Sequence, residues 1–281
     1  MLAARGIERI SEFYLALGFT LTPKADHPFG TSNRLILFQD HFLEIVAITH
    51  PGKVAKHEND NFSFAAYIND YLLQYEGLSM IALKSEGWQR DRNHFLSQGL
   101  VLGAPFRFSR KAKQPSGSEV EVRFELTFIG ESSEKGLKFF TCDHQHLKEE
   151  FYKRQFQKHA NTAFKLSEII LMSPDPSAHF EFFKKIGQNI NVIKESGELT
   201  IDFGSARYRI LSPRALRDKY FIECSDENNN LIRGLGFRLS VKNLERVRKQ
   251  LEVNKINFQE EDNVIRISPK QAFGSIIEFS R

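Results

Sequence analysis

The chain has 281 residues, of which 41% are hydrophobic and 26% charged, with a formal net charge of +4. This composition excludes a disordered chain, and the length is enough for two domains of ordinary size. No stretch approaches the roughly 18 apolar residues of a membrane span, and the first residues do not read as a signal peptide. We therefore expect a cytoplasmic protein that has no membrane partner.

The number of cysteines and the distribution of basic residues indicate the compartment of the protein and the kinds of partner it can have. Cys142 and Cys224 lie in different halves of the chain, so they do not make a disulfide framework and fit a reducing compartment. Nucleic-acid binders concentrate Lys and Arg on one face or in one block. The densest basic cluster here, at 107–113, is short and is typical of a solvated hairpin. We expect no nucleic-acid partner.

The first predicted unit is a helix followed by three strands. The helix spans about 7–17, and the strands lie at 19–22, 34–39 and 42–48. An insertion at 49–76 follows, in which large apolar residues recur at helical spacing, at Phe64, Ile68, Tyr71, Leu72 and Tyr75. This segment is predicted to be a helix, either a lid over a site in the first unit or an ordinary packed helix.

From Gly77 the same order recurs with an extra strand in front. The second unit has a strand at 78–83, a helix near 90–97, and strands at 104–108, 120–128 and 137–142. A third unit begins at 166 and a fourth at 234, each with one strand, one helix and three strands. The sequence thus predicts an α+β protein of four βαβββ modules, of which only the first lacks its leading strand.

Two segments in different halves repeat one pattern. Residues 12–18 (EFYLALG) and 181–187 (EFFKKIG) share an acid, two aromatics, two variable residues, an aliphatic and Gly. This pattern is typical of an amphipathic helix that ends at a glycine cap, and duplication of a whole domain is the simplest interpretation. Coincidence is the alternative, since aromatic helices that end in Gly are common. We predict domains at 1–146 and 163–281, joined by a connector at 147–162.

Several short motifs carry a narrower likeness. They lie at 13–14, 17–22, 27–28, 30–36, 42–44, 108–110, 117, 123–124, 142–144 and 159–162. With the order of modules, they resemble the bacterial glyoxalase-like domain family of the vicinal oxygen chelate superfamily, over residues 1 to about 162. The resemblance implies two domains with cupped mixed sheets, the second of them degenerate. It also implies a divalent metal that chelates two adjacent substrate oxygens.

The family's ligand positions, carried over by the same resemblance, are incompletely filled here. In the first domain Glu44 is the one acid at such a position, and Ser79 is neutral. In the second domain Glu168 and Glu278 are retained, but Arg209 stands where a ligand is expected and cannot bind a cation. A catalytic divalent ion requires three or four protein ligands. The metal site built on Glu44 is therefore predicted to be incomplete; no cofactor is certain, and a divalent metal stays open.

The candidate catalytic residues are Glu44 and His27. His27 precedes Pro28 and Gly30 on a loop that lies over the cup in the family, where it can bind or protonate a substrate. The alternative is a histidine in a surface turn. The candidate substrate-binding residues are Thr31, Asn33, Ser79, Arg110, Arg123 and His144.

Each substrate-binding candidate also has a plainer interpretation. Thr31 and Asn33 either bind a ligand or satisfy backbone groups of the turn. Arg110 and Arg123 either receive a carboxylate or phosphate by paired hydrogen bonds or are the exposed charges of a hairpin. His144 alternates with Cys142 and His146 along a strand, so the three share a face, but without a fourth partner they are a weak metal motif, and the alternative is a partly buried thiol beside histidines of the connector.

Two function classes survive. The first is a metal-free protein that binds a small hydrophobic or anionic ligand, similar to the antibiotic-sequestering members of the superfamily. The second is a metal-dependent lyase, isomerase or dioxygenase that acts on a substrate with vicinal oxygens. The incomplete ligand positions favour the first. The second domain is then a structural partner, or it forms a homodimer.

Overall fold

The computed structural model describes residues 1–56, 62–113, 117, 119–130, 136–146, 151, 153–187, 190–223 and 231–281. Cys224, part of the insertion at 57–61 and the connector residues 147–150 and 152 lie outside the described residues.

The first half contains three helices and nine strands among its described residues. In chain order these are β1 Leu2–Ala3, α1 Ile7–Ala16, β2 Ala25–Asp26, β3 Thr31–Leu37, β4 Phe42–Ile48, α2 Phe64–Gln74, β5 Gly77–Leu78, β6 Met80–Lys84, α3 Trp88–Ser97, β7 Phe106–Lys113, β8 Glu119–Ile129 and β9 Lys138–His144.

The second half repeats the pattern in its described part. Its elements are β10 Ala163–Met172, α4 Phe180–Ile186, β11 Asn191–Glu195, β12 Glu198–Asp202, β13 Arg207–Leu211, α5 Pro213–Tyr220, β14 Arg233–Val241, α6 Leu244–Val253, β15 Gln259–Glu261, β16 Val264–Ile267 and β17 Ile276–Ser280. Short 3-10 helices lie at Pro51–Lys53, Arg154–Phe156 and Pro176–His179. Helix α5, which the sequence did not predict, starts at a proline and is capped by Ser212.

Strand order is the same in the two halves. In the second half one sheet runs β11-β12-β13-β10-β14-β17-β16-β15. In the first half the corresponding order is β2-β3-β4-β1-β5 and then β6-β9-β8-β7, and Ser79 alone separates β5 from β6. Each leading strand pairs in parallel with the closing strand of its own module. The predicted α+β fold of four βαβββ modules is confirmed.

One detail of that prediction is wrong. The first module does have a leading strand, the two-residue β1, in which Leu2 pairs with Ile45 of β4 and with Leu78 of β5. A run this short carries no period of its own, so the sequence indicates no more than the tail of a leading strand at residues 1–5. The predicted domain boundaries at 146 and 163 stay predictions.

The helices and the sheets enclose apolar residues on both sheet faces. One cluster contains α1, α4 and α6 residues from both halves, including Tyr14, Phe183, Phe279 and Leu251. On the opposite face of the first-half sheets, α2 packs through Phe64 and Ile68 onto strand residues such as Phe128. This second cluster surrounds the cavity described below. In the part of the chain that the structure describes, no helix is long and apolar enough to cross a bilayer.

Candidate functional site

A cavity opens on the face of the first-half sheets that α2 partly covers; we call it the first cavity. Its free volume is about 40 Å³, room for only a few water molecules. Its walls are mostly aromatic, with a few polar groups among them. The lining residues are Met1, His27, Phe29, Asn33, Leu35, Phe42, Glu44, Phe64, Phe108, Arg110, Phe124, Leu126, Phe140, Cys142, His144 and Phe151.

Glu44 and Asn33 form the polar floor of the first cavity. Strands β3 and β4 are antiparallel with Asn33 opposite Val46 and Leu35 opposite Glu44, which places the two polar side chains on one face. The Asn33 Nδ2 donates a hydrogen bond to the Glu44 Oε1 at 2.8 Å. Burial raises the pKa of the Glu44 carboxyl, and this outweighs the opposing effects of that hydrogen bond and of the Arg110 charge.

The loop between β2 and β3 places His27 at one wall. Gly30 adopts φ +100, a conformation that favours glycine, and the loop closes with the His27 N–H bonded to the Thr31 carbonyl. The His27 Nδ1 lies 2.7 Å from the Thr31 Oγ1, and its ring stacks on Phe29. Burial and the Arg110 charge lower the pKa of His27 to about 3. The ring is therefore neutral at physiological pH.

Arg110 is the cationic group of the first cavity. It lies on β7 opposite Val122 of β8, and its guanidinium lies over the ring of Phe124, 5.7 Å from the ring centre. Its Nε is buried and has no hydrogen-bond partner in the part of the chain that the structure describes. Burial lowers the pKa of Arg110, against the attraction of Glu44. A buried guanidinium N–H without an acceptor lowers the stability of the folded protein. A ligand oxygen is an acceptor that would satisfy it.

Strand β9 supplies the opposite wall with Cys142 and His144. The His144 ring contacts the rings of Phe124 and Phe151 edge-on, at 5.1 and 4.6 Å between centres. Burial and the neighbouring His146 lower the pKa of His144 to about 4. Burial also raises the pKa of the Cys142 thiol. The thiol is therefore protonated and unreactive at neutral pH.

The structure brings five of the predicted site residues to the first cavity and leaves three outside its lining. Those in the lining are His27, Asn33, Glu44, Arg110 and His144. Thr31 is buried and reaches the cavity only through His27. Ser79 is buried between β5 and β6, with its hydroxyl near the Met1 carbonyl. Arg123 is exposed and pairs with Glu121 at 2.7 Å. The functional roles of all eight stay predictions.

Sequence and structure comparisons agree on the family. A sequence profile described as the glyoxalase-like domain matches residues 1–187, about two thirds of the chain. The chain belongs to the glyoxalase-like domain family. The match extends beyond the predicted 1–162 into the third module. Comparison with curated proteins gave no significant match.

Solved structures share the fold of this glyoxalase-like protein at low identity. A hypothetical protein from Staphylococcus aureus is 14% identical with a TM-score of 0.64, over 94% of this chain and 88% of that one. A mutant of 4-hydroxymandelate synthase from Streptomyces coelicolor is 9% identical with a TM-score of 0.56, over 100% and 92%. Homoprotocatechuate 2,3-dioxygenase from Arthrobacter globiformis is 11% identical with a TM-score of 0.56, over 99% and 76%. These likenesses establish the vicinal oxygen chelate fold.

The side chains at the glyoxalase-type ligand positions do not fit a divalent metal. Among the residues that the structure describes, no three His, Cys, Asp or Glu lie close enough together to hold a metal ion. Glu44 is bonded to an amide, and in the second half Arg209 donates to Glu168 at 3.0 Å. A guanidinium occupies the coordination capacity of that acid and repels a cation. We therefore derive no chemical step through a metal.

The aromatic walls were missed as site residues, although the sequence contains a signal for them. Phe106 and Phe108 alternate along β7, and Phe124, Leu126 and Phe128 along β8. A strand with period-two aromatics turns one aromatic face to a single side of the sheet. Whether this face lines a cavity or belongs to an ordinary core depends on which elements cover it. The alternation along the strands contains no information on that.

Proposed function

We propose that the first cavity binds a small, mainly apolar molecule that carries one carboxylate, and that Arg110 binds this carboxylate. The single observation that supports the proposal is the buried Arg110 Nε, which has no hydrogen-bond partner among the described residues and lies in a mainly apolar cavity. A guanidinium offers a planar set of donors that matches a carboxylate, and the hydrogen bonds formed there are charge-assisted.

The other polar groups suit a ligand of this kind. A bound carboxylate and Glu44 would share one guanidinium in a buried place, where two neighbouring carboxylates do not both ionise. The raised pKa of Glu44 favours its protonated form, which donates a hydrogen bond to the ligand. Neutral His27 and His144 add hydrogen-bonding groups without adding charge. A bound anion would raise the pKa of Glu44 further, because a second negative charge nearby disfavours ionisation.

The aromatic walls limit the size of the ligand. A free volume of about 40 Å³ is far below the several hundred Å³ of common ligand pockets, so side chains must move when a ligand enters. Phe29 and Phe108 contact one another edge-on above His27, with ring centres 5.2 Å apart. Changes of side-chain rotamer on binding are common. We propose that these two rings swing aside and then stack on an aromatic or flat aliphatic ligand.

The direct test compares benzoate with benzamide by calorimetric titration. The two have the same ring, and only benzoate carries the charge that Arg110 pairs with. We expect benzoate to bind more tightly than benzamide, and Arg110→Gln to weaken benzoate binding by about tenfold or more. Arg123→Gln is the matched control, because it removes the same charge from the same hairpin at an exposed position.

Two results would contradict the proposal. One is equal affinity of the wild-type protein for benzoate and benzamide, or no binding of either. The other is equal weakening by Arg110→Gln and Arg123→Gln, which would indicate attraction to the general surface charge. Arg110→Lys separates charge from geometry, because it keeps the charge and loses the planar set of donors.

The metal-dependent alternative has less support from the side chains. The names of the dioxygenase neighbours describe those proteins, and at this identity they carry only the fold to this chain. The observation against the alternative is the composition of the first cavity, in which Glu44 is the one acidic lining residue of the described chain. Binding of a small acid by Arg110 requires no metal.

A further inference from the structure

A second cavity lies in the second half of the chain, against strands β10, β13, β14 and β17. Its free volume is about 260 Å³, several times that of the first cavity, and its walls are polar. They carry Lys165, Arg207 and Arg238 as cations and Glu168 and Asp202 as acids. Hydroxyl groups and a glycine complete the lining, from Ser167, Ser205, Ser240, Ser280 and Gly204. A hydrophilic small molecule fits such a space and an apolar one does not.

Glu168 and Arg238 of this lining belong to a network of largely buried ion pairs that are already satisfied. Glu278 accepts from Arg238 at 2.7 Å and from Arg266 at 2.8 Å. Glu168 accepts from Arg209 at 3.0 Å, and Arg209 also donates to Glu198 at 2.8 Å. The hydrogen bonds from Arg209 and Lys219 lower the pKa of Glu198 to about 2, although burial acts in the opposite direction. Glu198 is therefore ionised and neutralised by its two partners.

Cationic side chains at the rim of the second cavity are not all tightly paired with acids. Arg207 lies 3.5 Å from Asp202 and 4.0 Å from Glu168, so its guanidinium is only loosely paired. Arg238 lines the same space, although its Nε and Nη2 are already paired with Glu278. Lys165 lines this space as well. Among the described residues the lining holds three cations, Lys165, Arg207 and Arg238, against two acids, Glu168 and Asp202.

We propose that the second cavity binds a small hydrophilic oxyanion, a phosphate or carboxylate group, between Lys165, Arg207 and Arg238. The excess positive charge attracts an anion, and guanidinium groups bind phosphate and carboxylate oxygens by paired hydrogen bonds. The serine hydroxyls are further donors for the remaining oxygens. A metal cation is disfavoured there by the same charge. The site is separate from the first cavity in position, volume and polarity, and it does not depend on the function proposed above.

The test is a calorimetric titration of the whole protein with inorganic phosphate and, separately, with malonate. We expect at least one of them to bind at millimolar concentration or below, and the tighter of the two identifies the oxyanion. Lys165→Gln and Arg207→Gln should each weaken that binding by about tenfold. Arg214→Gln is the matched control, because it removes one positive charge from an exposed position on α5. It should leave the affinity unchanged.

Three outcomes would overturn the proposal. The first is no binding of either anion to the wild-type protein at millimolar concentration. The second is a loss of affinity in Arg214→Gln that equals the loss in the cavity variants, since binding would then follow surface charge alone. The third is unchanged affinity in both cavity variants. Arg207→Lys keeps the charge and is a second variant in case Arg207→Gln does not fold; it should bind more weakly than wild type and still measurably.

Discussion

Arg110 and Arg123 lie on paired strands of one hairpin, and the register of that hairpin separates their environments. Arg110 of β7 lies opposite Val122 of β8, and Arg123 of β8 lies opposite Ser109 of β7. The two arginines therefore belong to adjacent cross-strand pairs, and their side chains point to opposite faces of the sheet. Successive residues of a strand point to opposite faces. One guanidinium is therefore buried over Phe124, and the other is in solvent with Glu121. A shift of one residue in the pairing would exchange their environments.

His27 makes a pH-dependent contribution to stability at the residue level. Its pKa is about 3 in the folded protein against an ordinary 6.5, because burial disfavours the charged ring. Between these values the unfolded chain takes up a proton that the folded protein does not. Stability is therefore fully present above pH 6.5 and falls as the pH drops towards 3, by up to about 1.4 kcal/mol per pH unit.

The measurement is the free energy of unfolding in urea, followed across this pH range. Removal of the titrating group in His27→Gln should make the loss of stability with acid shallower than in wild type. His50→Gln, at an exposed histidine near the same loop, is the control and should keep the wild-type slope. Identical slopes for wild type and His27→Gln would show that His27 titrates normally in the folded protein.

At the level of elements, the two copies of the repeated helix end at glycines for different reasons. Helix α1 ends at Ala16, two residues before Gly18, which has φ +85 and donates from its N–H to the Leu15 carbonyl. This is the left-handed cap that the pattern predicted. Gly187 after α4 is extended, with φ −130. A Cβ there would lie 2.1 Å from the Phe203 ring, so close packing explains this glycine.

The insertion helix α2 is held over the first cavity by a tyrosine hydroxyl. The buried Tyr67 donates to the Ser79 carbonyl at 2.9 Å and lies 2.5 Å from the Gly136 carbonyl. We expect Tyr67→Phe to lower the free energy of unfolding by about 1.5 kcal/mol, because buried acceptors lose their donor. Urea unfolding measures this change. Tyr71→Phe, whose hydroxyl is 3.3 Å from the Leu78 carbonyl, is the matched control.

The two variants separate a specific hydrogen bond from a general effect of removing a hydroxyl. Tyr71→Phe should lower the free energy of unfolding clearly less than Tyr67→Phe, because the hydrogen bond of Tyr71 is longer and therefore weaker. Equal losses in Tyr67→Phe and Tyr71→Phe would contradict the specific role of Tyr67. A smaller loss in Tyr67→Phe would contradict it as well.

At the level of the whole molecule, the two halves share one apolar core and touch through backbone. The core cluster includes Tyr14 from α1 and Phe183 from α4, and Phe139 of β9 contacts Phe183 edge-on at 5.7 Å. Strand β14 approaches β5 so closely that a Cβ on Gly234 would lie 2.2 Å from the Leu78 carbonyl oxygen. Because a carbonyl on a paired strand cannot move aside cheaply, this contact requires glycine.

We therefore expect Gly234→Ala to lower the free energy of unfolding by about 3 kcal/mol, as overpacked sites do. Thermal unfolding should stay a single transition for wild type, since the shared core couples the halves. Gly103→Ala is the control, because the nearest atom to its added methyl group is 3.8 Å away. Two separate transitions in the wild-type protein, or equal stability of Gly234→Ala and wild type, would contradict this account.

The sequence by itself determined the order of the elements and the family. Local signals sufficed for this: the alternation along β8, the helical period of α1 and the repeated segments at 12–18 and 181–187. The two-residue β1 is too short for a period. Helix α5 was missed because it is short and its apolar face has only Ala215, Leu216 and Tyr220. The site residues Glu44, Asn33 and Arg110 were found as candidates, and Asn33 and Arg110 each had a plainer interpretation beside the functional one.

Only the tertiary structure decided which of these candidates meet and what surrounds them. Glu44 and Arg110 are far apart in the sequence, and they line one cavity because separate strands bring them to the same face. The pairing of Glu168 with Arg209 and of Glu278 with Arg238 likewise joins distant positions across neighbouring strands. Burial, charge balance and the spare donors of a guanidinium depend on such long-range neighbours. A local sequence pattern contains no information on them.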